Sequence, residues 1–390
     1  MSAHVLRGAA AVVGVAESDL GDVGPNRYAI ELAGQAAVRA LDDAGLDTQD
    51  VDGLFGCVTG RFMSNLDLGE YLGIRPRYSD SGNIGGSSFV SYLLHAASAL
   101  HAGLCDTALI VYGSTPRADA QRKLPPGGLI ERPNYEAPYN PRHPVSGYAL
   151  ATARHMHEFG TTREQLAQVA VDARAWALLN PVSFCHDKGA LSIADVLNSK
   201  MVSSPLSVRD CCLVTDGGGA LVLTRAERAR DLRKPPIYML GAGEAHSHRS
   251  ISQMPDLTTT IATESSARAY AMAQVTPQDI DILQLYDAFT INTIMFLEDL
   301  GFCAKGEGGA FVGAGHIGPG GPLPTNTNGG GLSYCHPGMY GIFAIIEAVR
   351  QLRGEAGARQ QANLTRALAH GNGGQFSSQV TAIFGTQAAL

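Results

Sequence analysis

Twice in this chain a glycine-rich loop runs directly into an apolar helix pattern. The first loop closes on Gly85-Gly86, and the helix pattern continues from about Ser87 to His101. The second occupies Asn326 to Gly354. There Gly329, Gly330 and Gly331 lead into Tyr334, Cys335, His336 and Pro337, and two more glycines, Gly338 and Gly341, follow. Ile342, Ile345, Ile346 and Val349 then recur at three- and four-residue steps, and Gly354 stops the helix. A helix that is apolar almost all round, as Ser87 to His101 is, has to be covered on every side. The repeated loop-to-helix junction suggests a duplicated α/β unit in which strands and crossover helices alternate. A helix start also presents free backbone N–H groups and a positive dipole end, which suits a carbonyl oxygen becoming an oxyanion.

A second repetition points the same way. Ala40 to Leu54 reads ALDDAGLDTQDVDGL and Ala271 to Leu283 reads AMAQVTPQDIDIL. Each is a helix end, a turn, an Asp-Val/Ile-Asp step and a strand. The pattern predicts a duplicated α/β unit, residues 1–225 and 235–390. Between about 114 and 209 the regular alternation is interrupted. Residues 114–145 carry Pro116, Pro125, Pro126, Pro133, Pro138, Pro141 and Pro144 and read as a long loop, of the kind that is functional or mobile. Cys211 to Leu223 reads as strand, glycine turn at Gly217–Gly219, strand. Near the end, a strand around Ala367, a turn at His370–Gly374 and a strand over Gln379–Phe384 close the chain.

Composition narrows the function classes. The chain has 390 residues, 45% of them hydrophobic and 17% charged, with net charge −7. That balance suits a large core and argues against nucleic acid or an anionic membrane surface as partner. No apolar run is long enough to span a bilayer, and the apolar run at Ala9–Ala16 lacks signal-peptide features. The seven cysteines are scattered and form no CxxC pair, which argues against a disulfide framework or zinc finger and predicts a reducing cytoplasm. Cys185-His186-Asp187 and His246-Ser247-His248 lack established metal-ligand spacing, so no metal site is expected. The Gly217–Gly219 run lacks the lysine and spacing of a phosphate-binding loop.

Four segments have the residue types of a site: Gly85-Gly86-Ser87-Ser88, Tyr286-Asp287-Ala288-Phe289, Tyr334 to Tyr340, and His370 to Gly374. Strand ends and helix starts are where open α/β sheets bind ligands. Read without further context, Tyr286 is either a core aromatic or an acid/base group. Asp287 either orients a neighbour or caps the following helix. His336 is a core histidine or an oxyanion donor, and His370 lines a turn or the site.

In these four segments the chain resembles the thiolase superfamily, specifically its sterol-carrier or lipid-transfer branch. The resemblance implies a five-layer α/β/α/β/α fold of two similar halves, with an inserted loop region covering the site. It also implies a homodimer and, as in members of this branch, a small zinc-ribbon/OB-fold subunit that holds the CoA part of the substrate. Cys335-His336-Pro337 matches the thiolase His-Pro motif. Tyr286 to Phe289 matches the Asn-Glu-Ala-Phe motif with Tyr at the Asn position, and His370 to Gly374 matches the late Cys-x-Gly-Gly-Gly motif without its Cys. At the first motif Gly86 stands where a thiolase has its acyl-carrying Cys, so ordinary thiolysis lacks its nucleophile. Aldolases of this branch, which shorten branched steroid side chains as CoA thioesters, lack the same Cys. They share the segments seen here as Tyr286 to Thr290, Leu300 to Gly306 and Val349 to Gly354.

This likeness implies retro-aldol cleavage of a β-hydroxyacyl-CoA, with no covalently bound cofactor and the CoA thioester as substrate. Catalysis would fall to Tyr286 and a loop tyrosine, better matched by Tyr334 than by Tyr340, with His336, Asp287 and His370. Gly85, Gly86, Ser87, Gly329, Gly330, Cys335, Tyr340 and Gly373 would line the substrate and its oxyanion. Two other readings stay open: an acyltransferase with an atypical nucleophile such as Cys335, and a non-catalytic acyl-CoA carrier or scaffold.

Overall fold

The computed structural model describes residues 4–122 and 135–390, so Pro125, Pro126 and Pro133 of the proline-rich stretch lie outside the described residues. Strands β1 (Ala10–Glu17), β2 (Gly53–Val58), β3 (Tyr78–Asp80) and β4 (Thr107–Ser114) come first. An inserted region follows, with a short hairpin of β5 (Met201–Ser203) and β6 (Leu206–Ser207), and then β7 (Gly217–Arg225). The second half supplies β8 (Ile237–His246), β9 (Ile282–Leu285), β10 (Arg366–Gly373) and β11 (Ser378–Gly385). The helices of the first half are α1 (Ala29–Ala44), α2 (Ser64–Leu72) and α3 (Ser88–His101). The inserted region holds α4 (Pro116–Gln121), α5 (Val145–Phe159), α6 (Arg163–Leu178) and α7 (Ile193–Leu197). They are followed by α8 (Ala226–Ala229), α9 (Ala262–Ala273), α10 (Thr290–Asp299), α11 (Gly308–Gly313) and α12 (Gly341–Arg353).

The strand order is β3-β2-β4-β7-β1 and then β8-β11-β10-β9. Each half runs parallel first (β2 with β4, β9 with β10) and antiparallel afterwards. The halves join where β1 meets β8 through Ala11–Tyr238 and Val12–Ile237. The Asp-Val/Ile-Asp repeat has a physical role in this order. The Asp52 carboxylate accepts the N–H groups of Asp106 and Thr107 at 2.8 and 2.9 Å, at the start of β4. The Asp281 carboxylate accepts those of Thr365 and Arg366 at 2.7 and 2.8 Å, at the start of β10. In each half the aspartate before one strand thus latches its parallel neighbour into register.

The two helices that follow the glycine loops form the inner layer. α3 packs on β4 and β7 of one half and on β8, β10 and β11 of the other, and α12 likewise touches strands of both. Nearly all of α12 is buried. α1 covers β1, β4 and β7 from outside, and α9 covers β8 and β11. The result is the five-layer α/β/α/β/α arrangement. Gly45 and Gly354, at φ 74° and 75°, end α1 and α12 in the left-handed conformation that glycine adopts without strain.

Three readings of the sequence are corrected. Residues 114–145 contain a helix, α4, which begins on Pro116, where a missing N–H costs nothing. Gly217–Gly219 is no turn, since the glycines lie inside β7. A Cβ at Gly218 would stand 2.6 Å from the Tyr112 carbonyl oxygen and 2.9 Å from that of Leu32, so glycine here admits α1 against the sheet. His370 to Gly373 likewise lie inside β10, and the turn comes after them, with Gly374 and Phe376 at positive φ.

His370 is buried within the sheet. Its Nδ1 is 2.9 Å from Thr381 Oγ1, its Nε2 is 2.8 Å from Gln379 Oε1, and its ring packs on Phe296. Burial pushes its pKa down to about 4. In the unfolded chain a histidine takes up a proton near pH 6.5. Between pH 6.5 and 4 the unfolded chain therefore binds more protons, and stability falls as pH falls through that window. The urea midpoint is expected to be lower at pH 5 than at pH 7. His370→Gln should remove on the order of 1–2 kcal/mol of that difference. An unchanged difference in the variant would assign the pH dependence elsewhere.

Candidate active site

Tyr286 leaves the end of β9 with its N–H donating to the His370 carbonyl at 3.0 Å. Its ring then lies against Gly86, at the turn that opens α3. A Cβ on Gly86 would be 2.0 Å from Tyr286 Cε2 and 2.7 Å from its hydroxyl oxygen. The ring occupies the space that any side chain at position 86 would need. The Tyr286 hydroxyl is 3.1 Å from His336 Nε2 and 3.2 Å from the Gly338 carbonyl oxygen. The rings of His336 and Tyr340 stand edge-on to it, with centroids 5.6 and 5.7 Å away.

Burial acts on both members of the Tyr286–His336 pair. It pushes the phenol well above the usual tyrosine range and the imidazole down to about 4. Both are therefore neutral at pH 7. Two hydrogen-bond directions are available to them. Tyr286 can donate to His336 Nε2, or His336 Nε2–H can donate to Tyr286 while Tyr286 donates to Gly338. The pair is thus a short proton path with a carbonyl at its end.

Side chains that the sequence did not single out hold the His336 segment. The His336 N–H donates to Thr215 Oγ1 at 2.9 Å, and Thr215 N–H returns a bond to the His336 carbonyl. Tyr112, on β4, donates its hydroxyl to the Pro337 carbonyl and accepts the Met339 N–H at 3.0 Å. Asn328 Oδ1 accepts both the Tyr340 hydroxyl and the Gly330 N–H at 2.8 Å. Nothing local in the sequence marks Thr215 or Tyr112, because both act across the fold.

Close backbone packing brings the glycine segments together. A Cβ on Gly341 would lie 2.2 Å from the Gly86 carbonyl oxygen, so the starts of α12 and α3 abut. Gly373 presses on the Ile84 carbonyl, and Gly85, at φ 78°, presses on Gly373. Ser87 Oγ is 2.7 Å from Ser378 Oγ and donates to the Ile84 carbonyl at 3.0 Å. Tyr286, His336, Tyr340, Gly85, Gly86, Ser87 and Gly373 thus share one site.

The other residues picked from the sequence face elsewhere. The Tyr334 hydroxyl donates to Glu17 at 2.6 Å, and Glu17 also pairs with Arg350, so Tyr334 points toward β1 and Tyr340 is the loop tyrosine beside Tyr286. Asp287 neither orients Tyr286 nor caps α10. Its carboxylate, pushed up to about 7 by burial, accepts the N–H groups of Gly331 (2.6 Å) and Leu332 (3.3 Å). Those bonds hold a single π-helical turn over Gly330–Tyr334. Gly329 and Gly330, at φ 105° and 62°, shape this turn, and the Gly330 and Gly331 amides are already taken by Asn328 and Asp287. They offer no N–H to an oxyanion. Cys335 is fully buried, and burial pushes its thiol well above the usual range. His370 has both ring nitrogens engaged within the sheet.

The inserted region closes the site on one side. Tyr148 of α5 donates to the Gly374 carbonyl at 2.8 Å, accepts from Asn372 at 2.7 Å, and stacks near Phe289 and Phe376. Among the described residues no helix is long and apolar enough to cross a membrane.

Comparison with known proteins shows the family and the fold. Residues 243–386 match the thiolase C-terminal domain-like family. An acetyl-CoA acetyltransferase of Methanothermobacter thermautotrophicus is 33% identical over 96% of this chain and 98% of its own. A steroid side-chain-cleaving aldolase of Thermomonospora curvata is 32% identical over 93% of this chain and 95% of its own. Among solved structures, the Ltp2-ChsH2(DUF35) aldolase superposes with a TM-score of 0.88 at 30% identity, covering 98% of each chain. With about a third of its residues shared along nearly its whole length, the chain belongs to the thiolase superfamily, in the sterol-carrier branch that includes the steroid side-chain-cleaving aldolases.

Proposed function

We propose that this chain cleaves the Cα–Cβ bond of a β-hydroxyacyl-CoA thioester with a bulky acyl group, such as a steroid or aromatic side chain, by a retro-aldol reaction without an acyl-enzyme. The observation that carries this reading is the Tyr286 ring standing over Gly86 with its hydroxyl 3.1 Å from His336 Nε2. The steroid side-chain-cleaving aldolase and Ltp2-ChsH2 relatives support it.

In this mechanism the substrate β-hydroxyl bonds to the Tyr286 oxygen. As Tyr286 takes the hydroxyl proton, its own proton moves to His336 Nε2, which is neutral and free to accept. The Cα–Cβ electrons pass into the thioester and leave a ketone or aldehyde. The backbone N–H of Gly86, in the turn that opens α3, holds the enolate oxygen. The same proton then returns through Tyr286 to Cα and releases the shortened acyl-CoA. Tyr340 packs Tyr286 in place, while Asp287 and Asn328 fix the loop that carries His336.

The acyltransferase reading is weaker in spite of the acetyltransferase relative. Cys212 and Cys335 are the cysteines near these residues, and burial pushes both thiols up, away from the thiolate that acyl transfer requires. The carrier reading gives no reason for a proton path beside Gly86. We further propose a homodimer, joined where edge strand β3 is open to pairing, and a small zinc-ribbon/OB-fold subunit that holds CoA. The solved Ltp2-ChsH2(DUF35) aldolase, named for two components, supports the second subunit.

Release of ketone or aldehyde from a β-hydroxyacyl-CoA is expected, and Tyr286→Phe should lower kcat/KM by about 10²-fold or more. Turnover only of a β-ketoacyl-CoA with free CoA, lost in Cys335→Ala, would sink the aldolase reading. Gly86→Cys, which restores the thiolase nucleophile in name, is expected to destabilise the fold by about 1–3 kcal/mol through overpacking and to yield no thiolysis. The added change Tyr286→Asn should recover stability. If Gly86→Cys alone unfolds at the wild-type denaturant concentration, the ring does not fill that space. Light scattering should give twice the mass of the chain, and a monomer at micromolar concentration would refute the dimer.

A further inference from the structure

Beside the site is a cavity of about 660 Å³. Gly85 and Gly373 form one wall, and the residue after Gly85 is the glycine beneath the Tyr286 ring. The opposite wall is the end of β8 and the residues after it, His246 to Arg249. Its size suits a ring system of several fused or substituted rings. Its side chains do not suit a purely hydrocarbon one. Among the described residues Ile84 is the only aliphatic side chain in the lining, and the other side chains there are Asn, Ser, His and Arg.

Most of those polar groups are already committed. His246 is held between Ser378 (Nδ1, 3.0 Å) and Glu244 (Nε2, 2.8 Å). His248 is held between the Ser247 hydroxyl (2.7 Å) and the Gln375 carbonyl (2.9 Å). These bonds fix the wall and leave its imidazoles little freedom to turn toward a ligand. Arg249 differs. Its exposed guanidinium makes no hydrogen bond or ion pair with the described residues, and none of the described residues lining the cavity is a carboxylate. Among the described residues the Glu136 carboxylate feels its charge, and that carboxylate is already taken by the Ser252 N–H at 3.0 Å and by His143 at 3.2 Å. Among the described residues the cavity therefore carries one arginine without a hydrogen-bond or ion-pair partner, a planar set of donors of the geometry that pairs with a carboxylate in two parallel bonds.

We infer that this cavity receives the carbonyl fragment released by the aldol cleavage and that Arg249 selects a fragment bearing a carboxylate. The inference rests on the aldolase reading and narrows its substrate to hydroxyacyl-CoA thioesters whose departing half is a keto acid. Arg249 is a specificity residue here and takes no part in moving protons.

A matched pair of substrates tests this. (1-Hydroxy-4-carboxycyclohexyl)acetyl-CoA would give 4-oxocyclohexanecarboxylate and acetyl-CoA, and its methyl ester would give the neutral ketone. The wild-type chain should favour the carboxylate by at least about tenfold in kcat/KM, through KM, as expected for one charge-assisted pair. In Arg249→Ala the preference should collapse toward one. Arg154→Ala, which removes an exposed arginine on α5 paired with Glu158, should keep it. An equal rate on both substrates in the wild type, or a preference that survives in Arg249→Ala, overturns the inference. If neither thioester is cleaved, the aldolase reading is the one that fails, and the cavity is tested by calorimetry with the free ketones. Binding of 4-oxocyclohexanecarboxylate but not of its methyl ester, lost in Arg249→Ala, would still assign the site. Absence of binding would overturn it.

Discussion

The contact between the Tyr286 ring and the Gly86 backbone is the constraint around which the site is built. It fixes position 86 as glycine, since even a methyl group there would overlap the ring. It also explains how a chain with the thiolase architecture does without the thiolase nucleophile. The space of that side chain has been given to an aromatic ring from the other half of the molecule. The same junction admits the start of α12 onto the Gly86 carbonyl and the turn before α3 onto Gly373. Three backbone segments approach so closely that glycine is required at each, and the site lies where they meet.

Burial sets the electrostatics of this junction. Loss of solvent raises the phenol of Tyr286 and lowers the imidazole of His336, so the neutral form of each is favoured. An ionised tyrosinate–imidazolium pair is costly there until a substrate hydroxyl supplies a third partner. Retro-aldol chemistry makes few further demands: a proton acceptor at the β-hydroxyl, a place for enolate charge, and return of one proton. Rigid buried networks surround the pair. Glu17 with Arg350 and Tyr334, and Glu347 with Arg359 and Thr327, lock α12 and its preceding loop to the sheets. A second such network at Lys305, Glu298, Asp299 and His155 ties the inserted region to α10. Lys305 and Arg350 of these networks lie in the Leu300 to Gly306 and Val349 to Gly354 segments, so part of what resembles the aldolases is structural support.

Legibility in the sequence followed range. Helix ends, strand runs and the duplicated unit were readable because they depend on neighbours in the chain. Gly354 stops α12 by local backbone conformation, and the Asp52 and Asp281 latches follow from short segments. Tyr286 and His336 were also found, because each lies in a segment with a recognisable order of residues. The misread glycines at Gly217–Gly219 and Gly371–Gly373 show the limit. Glycine serves turns and close packing alike, and the choice depends on whether a helix from elsewhere lies over the strand, which no local pattern reports. The loop tyrosine failed for a related reason. Tyr334 and Tyr340 are six residues apart, but Tyr334 closes the π-helical turn and reaches Glu17, whereas Tyr340 comes after the extended Cys335 and stands beside Tyr286.

By itself the sequence determined the α/β class and the absence of a thiolase cysteine, and it singled out two halves and the tyrosine and histidine proposed to carry the chemistry. These are properties of residue type and short-range order. Tertiary structure alone decided what replaces the cysteine, which tyrosine stands beside Tyr286, why Asp287 and His370 are committed to support, and that Thr215 and Tyr112 hold the histidine. Each of these depends on which groups meet across the fold, and distances between segments 50 to 227 residues apart are set by the packing of the whole core.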